Sequence, residues 1–138
     1  MLQEERITRQ VLAMWRAGIT GVTRAYRNHH HPDLHWWNGA RGSVMGRDAC
    51  IAGCEAMFKL LDVAYVDVPI RLLLAQEGAV IVERSDNLHR ADGSLIAAVP
   101  VTGVVLFTGD QIVEWRDYCI DWLSDQPAVR RAMQSGGA

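Results

Sequence analysis

At Val63 the hydrophobic period of this chain changes from that of helices to that of strands, and this order of elements limits the folds open to it. Upstream, Ile7, Val11, Met14 and Trp15 recur at i, i+4, i+7 and i+8, which predicts a first helix ending near Gly18. A second short helix is expected from Ile19 to His30, with Ile19, Val22 and Tyr26 inward and Pro32 ending it. Leu34 to Asn38 reads as a short strand, followed by a glycine-punctuated loop through Gly46. A third helix then carries Cys50, Cys54, Met57, Phe58 and Leu61 on one face, with Asp48 near its positive N-terminal end. Downstream, Val63 to Gln76, Ala79 to Arg90, Leu95 to Thr108 and Gln111 to Ile120 are β-rich runs parted by turn residues. Pro69 and Pro100 cannot donate ladder hydrogen bonds and should mark edges or bulges. Asp125 and Pro127 suggest a last short helix, and residues 135–138 a frayed tail. Helices gathered on one face of a curved antiparallel sheet make an α+β fold, expected here as one domain over residues 1–134.

Composition narrows the function classes. With 138 residues, 49% hydrophobic and 22% charged, the chain reads as one soluble domain with a real core. A net charge of −2 provides no electrostatic footprint for nucleic acid or an anionic membrane, so the expected partner is a small molecule or another protein. The charged N-terminal segment does not resemble a signal peptide, and the expected location is cytoplasmic. Cys50, Cys54 and Cys119 fit no disulfide framework or zinc spacing and read as small buried hydrophobes. The single lysine, Lys59, lies on a polar helix side with Glu55 and Asp62, which argues against Schiff-base chemistry.

Chemistry enters with two charged segments inside strand-like runs, Glu83-Arg84-Ser85-Asp86 and Trp115-Arg116-Asp117-Tyr118. An unpaired charge in an interior costs several kcal/mol, so such groups must be paired. Strand parity puts Val80, Val82, Arg84, Asp86 and Leu88 on one face, and Val113, Trp115, Asp117 and Cys119 on one face of the last strand. Arg116 then faces outward. On the short strand, Leu34, Trp36 and Asn38 share a face. The residues by themselves allow two readings: a self-satisfied ion cluster that fixes strand register, or a site.

Glu83-Arg84-Ser85-Asp86, Gly103-Val-Val-Leu-Phe, Trp115-Arg116-Asp117-Tyr118 and Gly46-Arg47-Asp48-Ala49 resemble the limonene-1,2-epoxide hydrolase family. That family belongs to the wider group that includes nuclear transport factor 2 and ketosteroid isomerase. The resemblance runs from about Asp33 to Trp122. It implies a cone-shaped α+β fold, with the N-terminal helices on the concave face of the sheet around an apolar pocket.

It also implies an Asp-Arg-Asp triad that opens an epoxide in one step, without metal, cofactor or covalent intermediate. By position, Asp86 would be the general acid, Asp117 the general base and Arg84 their bridge, while Asn38 would help hold the attacking water. Two carboxylates beside one guanidinium in a low-dielectric cavity resist simultaneous ionisation, so acid and base can coexist near neutral pH. The expected substrate is a small, mostly apolar epoxide. Its lining would come from Met57 and Leu61 on the third helix and Val68, Leu88, Val99, Val101 and Cys119 on the sheet. A homodimer is likewise implied. The family has a tyrosine two residues before the asparagine, where this chain has Trp36, and an indole donates but cannot accept. Trp36 is either a pocket wall or a plain core aromatic.

Other candidates point elsewhere. His29-His30-His31 sits near a helix C-terminus, where cationic side chains are favourable, and lacks acidic or cysteine partners at metal-ligand spacing. His35 and His89 should be surface residues, and Gly42-Ser43-Val44 does not centre a serine between glycines as a nucleophile elbow does. Two further classes stay open on the same fold: an isomerase or polyketide-type cyclase moving one proton beside a carbonyl, and a non-catalytic dimeric binding module.

Overall fold

A computed structural model of the chain describes residues 1–38, 42–119 and Arg131. The helix expected from Asp125 and Pro127 and the tail at 135–138 lie outside the described residues.

Helix α1 spans Gln3–Met14 and continues through a 3₁₀ turn at Trp15–Ala17 into α2, Gly18–His29. Glu4 and Glu5 occupy the first turn of α1, where the helix dipole favours them. Its buried face is Ile7, Thr8, Val11 and Leu12, and the Thr8 hydroxyl is satisfied by donating to the Glu4 carbonyl at 2.8 Å. The corner between the helices requires Gly18. Its φ of 70° is left-handed, and a Cβ there would collide with the carbonyl oxygen of Ala64.

Helix α2 ends at His29, ahead of Pro32, because His30 already adopts extended backbone and starts strand β1, His30–Trp37. Pro32 instead falls in an irregular stretch between His30 and His35 where pairing with β7 shifts register, as expected of a residue with no amide hydrogen to donate. The loop expected before Gly46 contains a short strand, β2 at Ser43–Met45, antiparallel to β1. Helix α3 follows at Arg47–Leu61 and buries Cys50, Ile51, Cys54 and Phe58.

The strands that follow are β3 (Tyr65–Asp67), β4 (Ile70–Gln76), β5 (Ala79–His89), β6 (Leu95–Thr108) and β7 (Gln111–Tyr118). The run expected as one strand from Val63 is broken at Pro69 into β3 and β4, both antiparallel to β5, and the Pro69 carbonyl accepts from the Ser85 amide at 3.1 Å. Pro100 lies opposite Ser85, beyond Thr102 where β7 begins to pair, so β6 needs no donor on that side. The sheet runs β2-β1-β7-β6-β5-β3, with β4 also on β5 and β1 parallel to β7. The result is a helix layer on one face of a curved, mixed, unclosed sheet, with a core that includes Val11, Leu12, Leu34, Val80, Val82, Val105 and Ile112. Among the described residues no helix is long and apolar enough to cross a membrane.

Parity along β7 differs from the simple alternation in one place. Leu106 pairs with Glu114 but Phe107 pairs with Ile112, so Val113 is bulged out and Ile112 takes the fully buried position. Trp115 and Asp117 keep their inward places beyond the bulge. Leu34→Ala, at a fully buried site, should lower unfolding free energy by about 2–5 kcal/mol in urea titrations. Leu74→Ala, at a side chain 58% exposed, should change it by less than about 0.5 kcal/mol.

Candidate active site

Arg84 is among the largest fully buried side chains described in the molecule, 1% exposed near the middle of β5. Its neighbours explain how a strand accepts it. Nε and Nη2 donate to the two carboxylate oxygens of Asp86 at 2.8 and 3.2 Å, and Nη2 also donates to Asp117 Oδ1 at 2.9 Å. The guanidinium carbon lies 5.5 Å from the Trp15 ring centroid and 5.6 Å from that of Trp115, within reach of cation–π attraction. Nη1 has no hydrogen-bond acceptor among the described residues and lies against the backbone of Gly103. Burial opposes protonation of Arg84, but the Asp117 and Asp86 carboxylates outweigh it and raise the guanidinium above its ordinary value.

Room for this group is made across the sheet. Gly103 on β6 pairs with Val82 on one side and Asp117 on the other. A Cβ at Gly103 would sit 2.5 Å from Arg84 Nη1 and 3.4 Å from Asp117 Oδ1. The glycine is therefore needed for close approach.

The two carboxylates differ in environment. Asp117 Oδ1 accepts from both Arg84 Nη2 and the Trp115 indole at 2.9 Å, whereas Oδ2 accepts from the Trp36 indole at 3.4 Å. Three N–H donors thus converge on one carboxyl. Oδ1 is saturated, and Oδ2 keeps a lone pair for another proton donor. Asp86 has no donor besides Arg84 among the hydrogen bonds described, and burial raises its pKa despite the opposing pull of the guanidinium.

Both carboxylates line a cavity of about 100 Å³ between the helices and the sheet. Its wall is mostly apolar and aromatic. Trp36, Met57 and Leu88 lie in that wall together with Asp86 and Asp117. Val101 is buried opposite Arg84 and Val99 half-buried opposite Asp86, and neither is among the described lining residues. Val68 packs into the hydrophobic core instead. Leu61 is 42% exposed at the last turn of α3, because the buried face of that helix runs through Cys54 and Phe58. Cys119 lies half-buried past the end of β7. Asn38 follows the end of β1, its backbone amide donating to the Gly42 carbonyl, and is not among the described lining residues.

Sequence reasoning missed the helical wall. Trp15, Val22, Ala25, Tyr26, Cys54 and Phe58 line the cavity, and so does His30. The hydrophobic stripes of the three helical segments mark most of these positions as inward, but do not say which inward residues meet a void. Within the histidine tract, His30 is 4% exposed with Nδ1 3.1 Å from the Ala25 carbonyl, and burial lowers its pKa to about 4. His35 instead approaches Glu114 at 3.5 Å, and His89 stacks on Tyr65. Arg116 pairs with Glu114 at 2.9 Å, away from the triad.

A family model of the limonene-1,2-epoxide hydrolase catalytic domain matches residues 7–125. No curated protein sequence matches the chain. Among solved structures, an epoxide hydrolase of M. tuberculosis described as like the limonene-1,2-epoxide hydrolases superposes with a TM-score of 0.71 at 19% identity, covering 97% of this chain and 96% of that one. A SnoaL-like protein from a Jannaschia species gives 0.72 at 17% identity over 92% and 91% of the two chains. A protein with a ketosteroid isomerase-like fold from Catenulispora acidiphila gives 0.59 at 23% identity over 79% and 84%. At these identities the likeness concerns the fold.

Two outcomes follow from the site. Gly103→Ala should displace the guanidinium and lower unfolding free energy by about 2–4 kcal/mol, whereas Gly53→Ala, with open space around its Cβ, should not destabilise. For His30 the folded-state pKa lies below the ordinary 6.5, so the unfolded chain takes up the proton first as pH falls. The stability it allows above pH 6.5 is lost progressively toward about 4, by roughly 2–4 kcal/mol. His30→Gln should flatten that part of the stability profile in urea titrations across this range.

Proposed function

Because the chain belongs to the limonene-1,2-epoxide hydrolase catalytic domain family, we propose that it adds water to a small, mostly apolar epoxide to give a vicinal diol, in one step at Asp86, Arg84 and Asp117. The observation that carries this reading is a buried guanidinium bridging two carboxyl groups that open onto one cavity, one with a raised pKa and one ringed by N–H donors. Asp86, protonated, gives its proton to the epoxide oxygen as the C–O bond breaks. Asp117 Oδ2 takes a proton from the water whose oxygen attacks the ring carbon. The products are a diol, an ionised Asp86 and a protonated Asp117, and a proton then returns to Asp86. The triad carries zero net charge before and after the step, so no charge accumulates in the apolar chamber and no free alkoxide forms. Each positioned proton transfer contributes on the order of 10²–10⁴ in rate.

Trp36 changes how the water is held. Its indole donates to Asp117, so it orients the base and cannot accept a hydrogen from water. The water's acceptors are then Asp117 Oδ2 and, following the family pattern, the Asn38 amide. The same reading includes pairing of two copies. Leu74 and Ile81, cross-strand partners on the face away from the helices, are 58% and 48% exposed and support it.

Asp86→Asn and Asp117→Asn should each lower diol formation by about 10³-fold or more while leaving the circular dichroism spectrum unchanged. Near-normal rates in either variant would sink the mechanism. In the wild type kcat/KM should fall as pH rises through the raised pKa of Asp86, because the acid is lost. A single turnover in ¹⁸O-labelled water should place the label directly in the diol. Exchange of substrate protons with solvent without any diol would instead identify a proton-shuttling isomerase.

A further inference from the structure

Two groups in the cavity wall take no part in the proposed chemistry. Tyr26 on α2 and His30 at the start of β1 both line the chamber, with ring centroids 4.6 Å apart. The Tyr26 hydroxyl has Cys54 Sγ as its partner at 3.6 Å. Sulfur is a weak donor and acceptor, and a phenol enclosed in protein normally finds a stronger one. Burial raises both the phenol and the Cys54 thiol above their ordinary values, so Tyr26 keeps a proton to donate. Tyr26 and Cys54 line the same chamber as Asp86 and Asp117.

His30 presents the opposite polarity. Its Nδ1 faces the Ala25 carbonyl, which can only accept, so Nδ1 carries the ring proton and Nε2 has a lone pair. With its pKa lowered to about 4 by burial, the ring is neutral near physiological pH. The wall thus holds one residue that can donate and one that can accept, their ring centroids 4.6 Å apart, among apolar and aromatic side chains. A carbonyl on the ligand would use the donor and leave the acceptor unmatched. A charged group would pay desolvation with no counter-charge here. A hydroxyl both accepts and donates, and matches the pair.

We propose that Tyr26 and His30 form a hydroxyl-binding subsite, so that the preferred substrate of this cavity is an epoxide that also carries an alcohol group. This rests on the epoxide-hydrolase reading above. Tyr26 Oη donates to the alcohol oxygen and His30 Nε2 accepts its proton, which fixes which end of the substrate is turned to Asp86 and Asp117.

The test compares kcat/KM for cyclohexene oxide with that for its monohydroxylated derivatives, in the wild type and in Tyr26→Phe. In the wild type the best hydroxylated substrate should be favoured by about threefold to tenfold, and in Tyr26→Phe the ratio should fall toward one. A wild-type ratio of one or less, or a ratio unchanged in Tyr26→Phe, overturns the subsite. If no epoxide yields a diol, the epoxide-hydrolase reading fails separately, and the subsite is judged by binding of cyclohexanol followed through tryptophan fluorescence. Tyr26→Phe should then weaken cyclohexanol by about threefold or more, and equal affinity in the two proteins overturns the proposal.

Discussion

A guanidinium buried inside a β-sheet is the interaction on which the rest of this structure depends. Arg84 replaces an aliphatic residue in the register of Val80 and Val82, and a charge there is tolerable only if every side of it is answered. Two carboxyl groups answer the Nε and Nη2 edge, two indole faces lie against the plane, and an absent side chain at Gly103 leaves space for Nη1. These requirements reach across β5, β6, β7 and the turn between α1 and α2. Local folding, sheet pairing and helix docking therefore all have to be right before the site exists.

The same interaction makes the two acids unequal. A single cation stands between both carboxyls, yet Asp117 receives two further donors from Trp115 and Trp36 while Asp86 depends on Arg84. Burial then favours the protonated form at Asp86. Environment, rather than residue type, sets the two carboxyls apart. Trp36 contributes to this difference, because its indole donates to Asp117.

Much of the charged site was legible in the sequence because period-two alternation is a strong constraint. Once Val80 and Val82 are inward, Arg84 and Asp86 have to follow, and Trp115 fixes Asp117 in the same way. The bulge at Val113 was not legible, since one extra residue leaves no compositional mark in a run of aliphatics, yet it exchanges Val113 for Ile112 in the core. The lining was legible only in part. Val99 and Val101 share the inward face with the triad, but an inward face does not specify where space is left.

By itself the sequence determined the three main helices and the long strands, the face each charge takes and the need for those charges to pair, because these follow from backbone periodicity and the cost of an isolated ion. Tertiary structure alone decided that α2 and the start of β1 close the chamber, bringing Tyr26 and His30 into its wall and the rings of Trp15 and Trp115 against Arg84. The reason is geometric. Residues far apart in the chain share a cavity only through the angle and depth at which helices dock on a curved sheet, and no local period encodes either.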